Sequence, residues 1–285
     1  MQNATHAFSI TRNQGTEMPM ILDMCAAPGT YLWYALQQNP GASALGFSLP
    51  RDKGGHRLAL RTREAVRIKF LDVTMLAADM GATDADYALR PDHPHAGDFL
   101  RHAELPAAVR AFDLALCDGQ VLRTHEPHRA AYRGAREPRR LTLTQLALGL
   151  EHLRPGGTMV VLLHRVEAWD TVVLLHTFTR FSSVRLFKPR AGHAKRSSFY
   201  MIATDVRSGC AEALGAVARW KEEWRVATFE TDEARWHQAR REVGAEIPDV
   251  DAFLRGFGPE LARMATAIWK IQADALEKAP FMARN

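Results

Sequence analysis

Several features that would assign a chain to a class at once are scarce or absent in this sequence. Its 285 residues include three cysteines, far apart and without a CxxC pair, and no apolar run reaches the ~20 residues that a membrane-spanning helix needs. The first residues carry no apolar signal core and little of the character of a transit peptide. We therefore expect no membrane attachment, no disulfide framework and no metal site. We expect an intracellular location in the cytoplasm or nucleus, with the mitochondrion as an alternative.

The composition is globular and mildly basic. Hydrophobic residues make up 47% and charged residues 24%, values that exclude a disordered chain. The net charge of +5 suits an ordinary solvated surface as well as a polyanionic partner, so the position of the charge matters more than its sum.

Apolar runs recur along the first two thirds of the chain. Each run is β-branched or apolar and ends at turn or charged residues, as buried strands do, and helical patterns lie between the runs. The predicted strands are 20–25, 43–49, 66–73, 112–118, 158–164, 183–188 and 197–203, and the predicted helices between them are 31–39, 54–65, 139–157 and 167–181. This alternation predicts an α/β fold with a Rossmann-like, doubly wound and mostly parallel seven-stranded sheet.

The strand pattern stops after residue 205, and helical patterns follow. We expect a lead-in over 1–18, an α/β domain over 19–205 and a helical extension over 206–285, with breaks at Gly244–Pro248 and Gly256–Pro259. In the extension, Trp220 and Trp224 are four residues apart and face one side of a helix. Packing against the sheet is the favoured interpretation, and a surface for a protein partner or a homodimer is the alternative.

Acidic side chains end three of the predicted strands. Asp23 is followed by the small residues of "CAAPGTY", Asp72 ends "FLD", and Asp118 ends "LALCD". In an open α/β sheet, ligands bind at the carboxyl ends of the strands, and small residues let a ligand approach the backbone closely. Each aspartate could instead cap a helix, but three together favour a ligand-binding cleft.

The motifs resemble those of a known family. "LDMCAAPGTYLWYAL", "FLDVT", "FDLALCDG", "LRPGGTMVVLL" and "FKPRAGHAKRSSFYMIA" occur in the order found in FtsJ-like (RrmJ-type) methyltransferases, over about residues 19–205. The resemblance implies a protein that binds S-adenosylmethionine, releases S-adenosylhomocysteine and methylates a ribose 2′-hydroxyl of RNA.

The resemblance also implies which residues hold the cofactor. Asp72 would accept a hydrogen bond from the adenine amine, and Asp118 would lie beside the transferred methyl group. Phe47 and Ser48 would lie by the ribose and adenine, where many members have an acidic residue that this chain lacks. The loop that holds the methionine part would consist of Asp23, Ala26, Ala27, Pro28 and Gly29.

The chain departs from the family at the catalytic positions. Ribose methyltransferases of the family use a Lys-Asp-Lys-Glu tetrad, in which lysine and carboxylates help remove the proton of a poor nucleophile. Here Asp118 matches the aspartate, Leu162 or Leu163 stands at the second lysine, Ser198 stands at the glutamate, and residues 1–19 contain no lysine. Either Asp118 and His164 accept the proton in another arrangement, or the chain is an inactive relative that binds RNA or a protein.

Two basic segments follow predicted strands and would lie near the cleft. Arginines with an interleaved aromatic residue suit phosphate contacts and base stacking, whereas a solvated loop surface is the alternative. The first segment carries Arg123, Arg129, Arg133, Arg136, Arg139 and Arg140, and the second carries Lys188, Arg190, Lys195 and Arg196. The first three arginines and the four residues of the second segment are the expected RNA contacts.

Overall fold

Seven strands form one sheet in a computed structural model of the chain. The structure describes residues 1–11, 18–60, 64–89, 97–122, 134–230, 232–244 and 249–279. The strands are β1 (Met20–Asp23), β2 (Ser43–Ser48), β3 (Val66–Phe70), β4 (Phe112–Cys117), β5 (Leu153–His164), β6 (Ser183–Phe187) and β7 (Ser198–Val206). Their order across the sheet is β3-β2-β1-β4-β5-β7-β6, which confirms the predicted α/β class.

The direction of the strands brings the ends of most of them to one edge. Strands β3, β2, β1, β4 and β5 are parallel neighbours, and β7 is antiparallel to both β5 and β6. Because Ser198 pairs with His164, β7 begins where β5 ends. The carboxyl ends of β1 to β5 and the segment before β7 therefore share one edge, called here the carboxyl edge.

Helices cover both faces of the sheet. They are α1 (Gln2–Thr5), α2 (Thr30–Gln38), α3 (Asp84–Leu89), α4 (Glu137–Glu151), α5 (Trp169–Thr179), α6 (Ala211–Phe229), α7 (Glu233–Gly244) and α8 (Val250–Glu277). One apolar core joins the sheet to α2 and the amino-terminal residues, and the other joins it to α4, α5 and α6. We call these the α2 face and the α4 face. None of the described helices is both long and apolar enough to cross a membrane.

The lead-in is part of the packed domain. Ala7 and Phe8 are buried in the core of the α2 face. The amide of Asn39, at the end of α2, donates to the carbonyl oxygen of Phe8 (2.6 Å), and its oxygen accepts from the backbone N–H of Ile10 (2.9 Å). Residues 1–10 thus pack as an edge of the domain that we had expected to begin at residue 19.

Three local predictions were wrong. The helix predicted over 54–65 is not helical over 54–60, because Leu58 and Leu60 instead pack on the turn after β1. The turn predicted to end the helix over 139–157 lies inside β5, which already begins at Leu153. The break expected at Gly256–Pro259 is absent, since α8 continues through these residues. Phe257 and residues further along the helix are buried against the domain, and this packing overrides the local propensity of glycine and proline to end a helix.

The extension packs tightly on the domain. Helix α6 lies along α4, Trp224 is fully buried, and the Trp220 ring stacks on Phe178 with centroids 5.9 Å apart. Trp236 of α7 is buried as well. The favoured interpretation of Trp220 and Trp224 as core residues is confirmed.

Candidate cofactor and active site

Strand periodicity points two aspartates into the same crevice. Side chains two residues apart lie on one face of a strand. Asp23 lies two residues after Ile21, and Asp118 lies two residues after Leu116. Ile21 and Leu116 both belong to the core of the α2 face. The two carboxyl groups therefore project from neighbouring strands, at the carboxyl edge, toward α2.

The loss of hydration raises the pKa of both carboxyl groups. Burial raises the pKa of Asp23 well above its usual range, and the nearby charge of Asp118 raises it further. A hydrogen bond from the backbone N–H of Cys25 (3.1 Å) acts in the opposite direction and lowers this pKa. Burial raises the pKa of Asp118 to about 6. Among the residues that the structure describes, no cationic side chain pairs with either group. Asp23 is fully buried and Asp118 half-buried, and an acid pair so placed without a cation is unfavourable by itself and suits a positively charged ligand.

Asp72 reaches the same place from the other side of the sheet. Burial raises the pKa of the Cys25 thiol, and the charges of Asp118, Asp23 and, least of all, Asp72 raise it further, so each of these carboxylates lies near Cys25. Asp72 also caps a short 3₁₀ turn, Val73–Met75: its Oδ1 accepts from the backbone N–H of Thr74 (2.9 Å) and from its hydroxyl (2.8 Å). The capping alternative is thus true of Asp72, and it does not exclude a ligand.

The small residues of the turn after β1 mainly make room for the protein itself. A Cβ on Gly29, whose φ is +104°, would lie 2.9 Å from Cβ of Leu60. Ala26 is buried, and its backbone N–H donates to the carbonyl of Phe47 (2.7 Å). Of the predicted loop, Ala27 is half-buried and Pro28 is exposed. The expectation that this loop holds a ligand stays a prediction, and Ala27 and Pro28 are the two residues of the loop that are not buried.

The end of β2 presents one of its two predicted residues to the crevice. Phe47 is fully buried in the core of the α4 face, so only its backbone is near the turn. Ser48 lies on the opposite side of the strand, toward the α2 face, and is also buried.

A pair of tyrosines, which sequence reasoning did not assign, borders Asp118. The ring centroids of Tyr31 and Tyr200 lie 5.5 Å apart, with the rings edge to face. Burial raises the pKa of both phenols, and the charge of Asp118 adds to the effect, so both stay protonated at neutral pH. Strand periodicity could have found Tyr200, because it lies two residues after Ser198 in the same strand.

Comparison with known proteins agrees with this geometry. A family model described as FtsJ-like methyltransferase matches residues 1–206. This chain belongs to the FtsJ-like methyltransferase family. Among solved structures, an rRNA methylase from Streptococcus thermophilus is 13% identical, with 66% of this chain and 87% of that chain covered and a TM-score of 0.34, too low to support an argument. No curated protein matches.

The residues expected at the second lysine and the glutamate of the tetrad, Leu162 or Leu163 and Ser198, are uncharged. Leu162 is buried and pairs with Tyr200, whereas Leu163 lies on the α4 face. Ser198 is buried, and its Oγ lies 2.8 Å from Nδ1 of His193. Phenol, hydroxyl and imidazole groups thus surround the expected tetrad positions at this end of β5 and β7.

His164 lies further out on the same edge. It is exposed, and it lies three residues after Val161, which pairs with Cys117, the residue before Asp118. The loss of hydration lowers the pKa of His164, and the charges of His193, Arg165 and Lys188 lower it further. The imidazole is therefore neutral at pH 7. His164 and Asp118 thus both lie at the carboxyl edge, at the ends of neighbouring strands.

The second basic segment divides into buried and exposed residues. Lys188 is buried, and its Nζ donates to the carbonyl oxygens of Arg196 (2.5 Å) and Ser198 (2.8 Å). The expectation that Lys188 faces RNA is therefore corrected: the ammonium ties the two ends of this loop together. Arg190, Lys195 and Arg196 are exposed beside the carboxyl edge.

The first basic segment is described only in its second part. Arg123, Arg129 and Arg133 lie outside the described residues. Three further arginines of this segment, Arg136, Arg139 and Arg140, bind the extension: Arg139 forms a two-pronged ion pair with Glu223 (2.7 and 2.8 Å), and Arg140 is fully buried. These three serve packing between helices and offer little charge to a partner.

Proposed function

We propose that this chain binds S-adenosylmethionine at the carboxyl edge. The observation that carries the proposal is the buried acid pair, Asp23 and Asp118, which has no cationic partner among the described residues. The ammonium and sulfonium groups of the cofactor would supply the missing positive charge. Membership of a family that generally uses this cofactor supports the assignment.

We further propose methyl transfer to RNA, with a ribose 2′-hydroxyl as the acceptor. Bound cofactor supplies an electrophilic methyl group whose carbon–sulfur bond breaks as a carbon–oxygen bond forms, leaving S-adenosylhomocysteine. Asp118, ionised above about pH 6, and the neutral imidazole of His164 are the groups that can take the hydroxyl proton. Positioning of the hydroxyl supplies much of the remaining rate.

The RNA would lie along the exposed part of the loop before β7. Arg190, Lys195 and Arg196 are exposed there, and guanidinium and ammonium groups suit phosphate contacts. Arg123, Arg129 and Arg133 complete the proposed RNA-binding set.

A second function has a specific observation in its favour. Leu162 and Ser198 leave the tetrad without its second lysine and its glutamate, which favours a chain that binds RNA or a protein partner without methylating it. In that case the exposed side of the carboxyl-terminal helices, with Leu254 and Trp269, is the surface for a protein or a second copy. The three free cysteines support a reducing, intracellular setting for either function.

Calorimetric titration with S-adenosylmethionine and S-adenosylhomocysteine tests the cofactor proposal. We expect micromolar binding by the wild type and strong loss in Asp72→Ala. Absence of binding at millimolar cofactor would refute it. Transfer of a radiolabelled methyl group to total RNA then separates the two functions: transfer lost in Asp118→Ala supports the enzyme, and cofactor binding without transfer supports the non-catalytic alternative.

A further inference from the structure

The turn that carries Asp72 is held from outside the sheet by the first helix of the extension. The carbonyl oxygen of Thr74, within that turn, accepts hydrogen bonds from Nε1 of Trp224 in α6 (3.2 Å) and from the guanidinium of Arg140 in α4 (3.0 Å). The hydroxyl and backbone N–H of the same Thr74 donate to Oδ1 of Asp72. One residue thus links the Asp72 carboxylate to α6.

The link is part of a buried polar network. Arg140 donates to Glu137 (2.9 Å) and to the hydroxyl of Thr228 in α6 (2.9 Å), and the hydroxyl of Thr74 lies 3.2 Å from Glu137. All of these side chains are buried. Buried hydrogen bonds of this kind hold a single arrangement, because each broken bond leaves a polar group without water.

A short 3₁₀ turn needs such support. Its three residues contribute few hydrogen bonds of their own, and isolated turns of this length are marginal in water. Among the described residues, no group bonds Oδ2 of Asp72, so the carboxylate keeps one oxygen for a ligand while Oδ1 is locked.

We propose that Trp224 is a positioning residue for the cofactor: through Thr74 it fixes the carboxylate of Asp72 that receives the adenine amine. The inference rests on the proposed cofactor site and extends it, because the family match ends at residue 206 and α6 begins at Ala211. The extension is then part of the adenine pocket of this chain rather than an accessory.

The test compares Trp224→Phe with Trp220→Phe. Both changes replace a buried tryptophan in α6, one turn apart, but only Trp224 donates to Thr74, whereas the Trp220 ring stacks on Phe178. Thermal unfolding should report similar losses for the two. The dissociation constant for S-adenosylhomocysteine should rise about three- to ten-fold in Trp224→Phe only.

An adenine analogue distinguishes positioning from general damage. S-inosylhomocysteine has a carbonyl oxygen in place of the amine, so its affinity should be weak and equal in the wild type and both variants. Unchanged affinity for S-adenosylhomocysteine in Trp224→Phe, or an equal loss for both ligands, would overturn the inference.

Hydrogen exchange needs no cofactor, so it tests the role of Trp224 even if the wild type binds neither ligand. Absence of ligand binding would refute only the proposed function. Hydrogen exchange of the Thr74, Met75 and Leu76 amides, which bond within the turn, should be faster in Trp224→Phe and unchanged in Trp220→Phe. Equal exchange in the two variants would overturn the positioning role.

Discussion

Replacing Asp118 by asparagine should stabilise the cofactor-free protein while it destroys the proposed cofactor site. The carboxyl group is half-buried beside Asp23, and no described cationic side chain compensates its charge. An amide of nearly the same shape carries no charge, so the cost of burying a carboxylate disappears. Functional sites commonly hold groups that are unfavourable until a ligand binds.

The magnitude and its pH dependence follow from the pKa of Asp118. Burial raises that pKa to about 6 from an ordinary value of 3.8. The folded state therefore binds this proton more tightly than the unfolded state, so the wild type loses stability as the pH rises from about 4 to about 6 and stays destabilised above. The difference corresponds to about 3 kcal/mol, or about 5 °C or more in melting temperature.

Unfolding by urea between pH 4 and pH 8 measures the effect. The free energies of wild type and Asp118→Asn should nearly coincide at pH 4 and diverge by about 3 kcal/mol above pH 6, with the variant more stable. Asp72→Asn is the matched control and should show no such gain, because its carboxylate already accepts two hydrogen bonds from Thr74. A variant less stable than the wild type at pH 8 would refute the reasoning, since it would mean that the carboxylate finds a cation without the cofactor.

Three further predictions concern stability. Gly29→Ala should cost about 2 kcal/mol in urea unfolding and more than Gly81→Ala, because both glycines have positive φ but only Gly29 meets a neighbouring Cβ; equal losses would contradict the role of the contact. Arg140→Met should cost about 3–5 kcal/mol, because it removes the ion pair with the buried Glu137 and the hydrogen bonds to Thr74 and Thr228, and a loss below 1 kcal/mol would show that the network is not coupled. A chain that ends at Val206 should fail to give a cooperative thermal transition, because three buried aromatic residues of α6 are each worth about 3–5 kcal/mol; a sharp transition would contradict the integral role of the extension.

The sequence by itself determined the elements and the position of the site. All seven strands form at the predicted runs, because strands buried on both faces require continuous apolar sequence. Asp23, Asp72 and Asp118 could be placed at strand ends by reading where apolar runs stop, and parallel strands bring such ends to one edge. The helical character of the extension was equally plain, since its apolar residues recur at helical spacing over long segments.

Only the tertiary structure decided what each charged or aromatic side chain contacts. Arg139 and Lys188 look alike in sequence as members of basic segments, yet one pairs with Glu223, 84 residues away, and the other is buried against backbone carbonyls. The contact between Trp224 and Thr74 joins residues 150 positions apart. Local patterns report local conformation and burial, whereas the partner of a polar group depends on which distant elements the fold packs together. That is why the acid pair could be anticipated from the sequence, and why the support that Asp72 receives from α6 could not.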